Sequence, residues 1–211
     1  MHEPAVTLTD YGLTLECWLF AALIAKSAPK QPVKRLWIAF FFFVGLASLL
    51  GGTVHGFLPD QSSLWHDIVW KSSLTAIGCT AAASWMLGAH LTGSASLTRW
   101  MPRIAAVLLV AYAGIVAFVS HRFFVAIAMY LPATVFLTIA MVMAHLREPK
   151  RGWAAGIIGL ALTYAAAAVQ QVKVAVHPVY FDHNALYHAI QAVALYLLFL
   201  AQSRVNRSAA A

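Results

Sequence analysis

Apolar positions run along this chain in seven long blocks, separated by short clusters of polar, basic or helix-breaking residues. A helix that crosses a bilayer needs roughly 17–25 mostly apolar residues, slightly fewer where its polar ends share the interface. Blocks at about 11–25, 35–57, 65–90, 102–119, 123–145, 153–174 and 183–202 meet that requirement. The first is the shortest and contains Glu16. The runs 73–90 and 153–169 are rich in Ala and Gly, which suits close helix–helix approach better than bulky contact with lipid. The pattern predicts an all-α, integral-membrane bundle of seven transmembrane helices, with no length left for a second domain.

Composition supports this reading. The 211 residues are 62% hydrophobic and 10% charged, whereas a soluble domain carries about 25% charged residues. In a soluble protein the net charge of +7 would suggest nucleic acid. Here the charges belong to membrane loops, and no nucleic-acid partner is expected. Cys17 and Cys79 both lie inside apolar blocks and read as small buried hydrophobes rather than a disulfide. Residues 1–10 have neither a basic leader nor a small-residue cleavage site, so no removable signal peptide is expected.

The charges also predict orientation. Lys26, Lys30, Lys34 and Arg35 fall in the first loop, Arg99 and Arg103 in the third, Arg147, Lys150 and Arg151 in the fifth, and Arg204 and Arg207 in the tail. That places 11 of the 14 basic residues on one side, which the positive-inside rule assigns to the cytoplasm. Glu3, Asp10, Glu16, Asp60, Asp67 and Asp182 fall on the other side or in the outer halves of helices. The expected topology is N-terminus out and C-terminus in, in a bacterial-type inner membrane.

Polar residues concentrate at the outer ends. Ser48 and His55 share a face of the second helix at i and i+7. Asp67 opens the third, with Lys71 one turn on. Gln170, Gln171 and Lys173 close the sixth. The seventh begins Asp182-His183-Asn184, and Asn184, His188 and Gln191 share one face at i, i+4 and i+7. Ordinary roles exist for several: Asp67–Lys71 as a neutralised pair, Asp182 as a helix N-cap, the glutamines as interhelical hydrogen-bond partners. His2, His66, His90, His121, His145 and His177 lie at helix ends or in loops and are treated as background. The coincidence of depth among His55, Asp67, His183 and His188 is what points to chemistry. Imidazoles with a carboxylate suit a Zn²⁺ ion with an open position, whose bound water the carboxylate orients or deprotonates. Glu16, Lys71, Asn184 and Gln191 would support such a site, and an apolar space between the helices would hold an acyl chain.

Seven spans, a His at the outer end of helix 2, an Asp opening helix 3 and a His-containing start to helix 7 resemble the alkaline ceramidase and progestin/adipoQ receptor group of membrane hydrolases. That group shows Ser-x3-His in helix 2, Asp in helix 3 and His-x3-His in helix 7, with three histidines on zinc. The resemblance implies zinc on His55, His188 and His183, with Asp67 and a serine hydroxyl assisting hydrolysis of a membrane lipid amide or ester. The serine position is Gly51 here, leaving Ser48 or Thr53 to supply the hydroxyl. The first His of the helix 7 pair falls on Asn184, with His183 one place earlier.

Two other functions compete with the hydrolase. His55 and His188 on facing helices could be axial ligands of a b-type haem. Alternatively, Glu16, Asp67, Lys71, Lys173 and His188 could form a proton or solute path in a transporter- or receptor-like bundle. A retinal protein is set aside, because helix 7 has no Lys for a Schiff base.

Overall fold

Among the described residues of the computed structural model (1–27, 32–178 and 180–208) the chain is seven α-helices. They are α1 (Pro4–Lys26), α2 (Pro32–Phe57), α3 (Leu64–Leu91), α4 (Ala95–Phe118), α5 (Phe123–Arg147), α6 (Arg151–Val172) and α7 (His183–Ser208). Each is long and apolar enough to cross a membrane, so the chain is an integral-membrane helical bundle. Lys30 lies outside the described residues, as do the side chains of Arg204 and Arg207.

Helix boundaries follow local chemistry. α1 opens with Pro4 at its first position, where the missing N–H costs nothing. This start lies seven residues before the block expected from hydropathy, because Thr7 and Thr9 hide their hydroxyls, as Thr14 does inside the block. Each donates to the carbonyl four residues back: Glu3, Ala5 and Asp10. Threonines bonded in this way are compatible with a membrane helix. Asp182 Oδ1 accepts from the backbone N–H groups of Asn184 (3.1 Å) and Ala185 (2.9 Å) and caps α7. α6 ends at Lys173, whose φ of 59° is the left-handed conformation that closes many helices.

The helices do not pack in chain order around the bundle. α1 packs on α2 and α7, α2 on α3, α3 on α5, α5 on α6 and α6 on α7. The result is a ring in the order α1-α2-α3-α5-α6-α7, with α4 outside it against α3. Small residues let the ring close tightly. At Gly159 of α6 a Cβ would stand 2.7 Å from the Ala194 carbonyl oxygen of α7, and that backbone cannot move aside.

One half of the ring is solid. Phe20, Trp37, Phe40, Phe41, Leu87, Leu137, Met141, Leu160, Leu195 and Leu198 fill it, with Phe20 stacked on Phe199 at 4.4 Å between ring centroids. The other half, bounded by the start of α1, the end of α2, the starts of α3, α5 and α7 and the end of α6, is hollow.

Candidate functional site

The hollow is a cavity of about 320 Å³, at the lower end of the roughly 300–1,000 Å³ typical of small-molecule pockets. Its walls are mainly apolar, with polar groups gathered towards one end. Six of the seven helices contribute lining residues; α4 contributes none.

The strongest feature of the wall is a contact between the first and last helices. Asp10 of α1 and His188 of α7 are largely buried, with side chains 6% and 11% exposed, and Asp10 Oδ1 lies 3.4 Å from His188 Nε2. The other ring nitrogen, Nδ1, is 3.1 Å from Thr9 Oγ1. The single hydroxyl proton of Thr9 is directed at the carbonyls of Ala5 and Val6, both at 2.9 Å. His188 therefore has an oxygen partner at each ring nitrogen, Thr9 at Nδ1 and Asp10 at Nε2, and the carboxylate–imidazole contact on the cavity wall can take up and release a proton.

Glycine spacing on α2 makes room for this pair. A Cβ at Gly52 would stand 2.8 Å from the Cβ of Asp10, so any side chain there would push the acid away. Gly51, one residue earlier, looks into the cavity: a Cβ there would lie 3.6 Å from Asp10 Oδ2 and 3.7 Å from Ser73 Oγ. Ser73 of α3 therefore stands beside the Gly51 position on the cavity wall. Ser73 donates to the Ala47 carbonyl at 2.9 Å, so its oxygen is left as an acceptor.

Other expected residues separate into two groups. Ser48, His55, Asn184, His188 and Gln191 all line the cavity, together with Gln170 and Gln171. His55 Nδ1 lies 2.7 Å from Glu3 Oε2, an N-terminal acid that the sequence reading left in the tail. Asn184 Oδ1 accepts from Gln170 at 3.4 Å. Gln191 donates through Nε2 to Thr163 Oγ1 at 3.3 Å, and its buried Oε1 has no partner.

His183, Asp67, Lys71 and Glu16 do not line the cavity. His183 is the first residue of α7, and its neighbour Asn184 takes the inward position. Asp67 is bound to Lys71 Nζ at 2.8 Å, with side chains 37% and 28% exposed. It shares the depth of the cavity but not its direction. The lining residues of α3 are Trp70, Ser73, Ile77 and Thr80, and at about 100° per residue Asp67 points well to one side of that stripe. Glu16 is half-buried on α1, and Lys173 is exposed at the end of α6.

These placements bear on the cofactors. Among the described residues no group of three or more His, Cys, Asp or Glu side chains is arranged to hold a metal ion. Of the three histidines proposed as ligands, His55 and His188 line the cavity and His183 does not. Both ring nitrogens of His188 face partners on α1, Thr9 and Asp10. Asp10, Thr9, Glu3 and Ser73 were missed by the sequence reading. The available signal was Pro4, which marks the true start of α1 and draws Asp10 into the bundle.

A family model described as "Family of unknown function (DUF6962)" matches residues 5–207. No curated protein and no solved structure matches the chain.

Proposed function

Since the chain belongs to the family of unknown function DUF6962, its role must be argued from its own residues, and we propose a membrane-embedded hydrolase of a lipid amide or ester. The observation that carries the proposal is the Asp10–His188 contact on the wall of a mainly apolar cavity. Ionisable groups at membrane depth are costly, and they are found where they pair and where function uses them. An apolar pocket suits an acyl chain, and the amides and hydroxyls along its wall suit a polar head. The unpartnered Oε1 of Gln191 offers an acceptor to a substrate N–H or O–H.

In this reading Asp10 and His188 do the proton work that the sequence pattern gave to Asp67. A water molecule adds to the substrate carbonyl carbon, and its proton passes to the Asp10–His188 pair in its unprotonated form, an Asp10 carboxylate beside a neutral His188 imidazole. The bond from that carbon to the leaving nitrogen or oxygen then breaks, and the same proton is delivered to the leaving atom. General acid–base catalysis of this type contributes about 10²–10⁴-fold. Ser48 is the hydroxyl that can donate to the developing oxyanion. No step is routed through a metal. With the basic residues at the opposite end of the bundle, the positive-inside rule turns the cavity end outward and the C-terminus into the cytoplasm.

The test is fatty-acid release by the full chain, in lipid nanodiscs, from a panel of fluorescent N-acyl amides and acyl esters. Turnover of at least one class is expected, with a loss of about 100-fold or more in Asp10→Asn and His188→Gln and no change in Asp67→Asn. Dependence on Asp67 in place of Asp10, or no hydrolysis of any panel member, would overturn the proposal. Stoichiometric zinc in the purified protein that disappears in His188→Gln would replace the protein-only chemistry with a metal centre.

A further inference from the structure

A second cavity, about 580 Å³, lies at the opposite end of the bundle, where the end of α1, the start of α2, the end of α3 and the start of α4 meet. Its polar lining is basic: Lys34, Arg35 and His90, with Thr98, and no acidic residue. Met86 and Met101 are part of its apolar wall.

Lys34 is 8% exposed. It donates to the carbonyls of Ala25, at 3.0 Å, and of Ser27, which ties it to the end of α1. An ammonium has three N–H donors, and among the described residues two carbonyls take two of them. Arg35 is exposed and His90 half-buried. Positive charge with no acid among the described lining residues, over an apolar floor, fits an anionic, amphipathic ligand. Depth narrows the choice further. Trp100, 53% exposed and on the same first turns of α4, carries the Arg103 guanidinium 5.1 Å from its ring centroid. An indole with a basic neighbour is the usual occupant of the headgroup layer.

We propose that this cleft binds the phosphate headgroup of an anionic membrane lipid through Lys34, Arg35 and His90, with part of an acyl chain against Met86 and Met101. The site is separate from the α1–α7 cavity and does not depend on the function assigned there. A juxtamembrane basic residue contributes about 1 kcal/mol to attraction for anionic lipid, or about fivefold in affinity.

The experiment measures lipid retention by native mass spectrometry and by thermal shift, using delipidated full-length protein. Phosphatidylglycerol, phosphatidylcholine and inorganic phosphate are added separately. Phosphatidylglycerol is expected to bind several-fold more tightly than phosphatidylcholine. Arg35→Gln should lower that preference about fivefold, Arg35→Gln/His90→Gln should abolish it, and Arg35→Lys should keep most of it. Arg122→Gln, at the other end of the bundle, should leave it intact. Lys34 is left unchanged because it holds the end of α1. Equal retention of the two lipids, or a preference that survives in the double variant, would overturn the proposal. Stabilisation by inorganic phosphate as strong as by phosphatidylglycerol would also overturn it, by identifying a free-anion site.

Discussion

The two ends of this bundle differ in how they hold charge. At the cavity end three acids have a basic or imidazole neighbour: Asp10 with His188, Glu3 with His55 and Asp67 with Lys71. At the other end Glu148 pairs with Lys150, but Lys34, Arg35 and His90 share a cleft with no acid among its described lining residues. Pairing is what allows charged groups to sit deep between helices, where water cannot screen them. Unpaired cations are tolerable at the rim, where a lipid phosphate can complete them. The difference teaches that depth and pairing must be read together: a paired group deep in the ring is built for internal chemistry, and an unpaired one at the rim is built for an external ligand.

This contrast can be broken most forcefully at Asp10. Removing one member of a buried pair costs about 3–5 kcal/mol, so Asp10→Ala should lower unfolding stability in detergent by roughly that amount. Asp10→Leu/His188→Leu should recover most of the loss while remaining inactive. Recovery of activity with stability would reduce the pair to a structural device.

A smaller effect is expected from two adjacent glycines. Gly52→Ala forces a Cβ to 2.8 Å from the Asp10 Cβ and should cost about 1–3 kcal/mol, as overpacking does, together with much of the activity. Gly51→Ala makes only ordinary contacts with Asp10 and Ser73. It should be neutral or stabilise by up to about 1 kcal/mol, the usual helix preference for Ala over Gly. Thermal unfolding of the two single variants side by side checks both. The smallest effect belongs to Asp67→Asn, because a partly exposed helical ion pair contributes no more than about 1 kcal/mol. If Asp67→Asn destabilises as much as Asp10→Ala, the distinction between cavity and flank is wrong.

Much of the architecture was legible in the sequence because apolar block length is a one-dimensional property. All seven helices were found, and the Ala- and Gly-rich blocks became α3 and α6, where Gly159 meets the backbone of α7. The start of α1 was not legible from hydropathy, because Thr7 and Thr9 count as polar although their hydroxyls are spent on their own helix. That error kept Asp10 out of the candidate site. Ser48, His55, Asn184, His188 and Gln191 all line one cavity. Azimuth was not legible: whether Asp67 or Ser73 faces inward depends on which helices flank α3. The ring places α2 and α5 beside it and leaves α4 outside, and no local pattern encodes that order. The choice between His183 and Asn184 was decided in the same way, by the rotation that Asp182 sets when it caps α7.

The ring order has a consequence for how the molecule is made. Thr9 and Asp10 are inserted with the first helix, and their partner His188 arrives with the last, 179 positions after Thr9. Until α7 docks, a carboxyl group stands unmatched on α1 beside an open gap between α1 and α6. Synthesis of the final helix therefore both closes the ring and supplies the imidazole that Asp10 packs against.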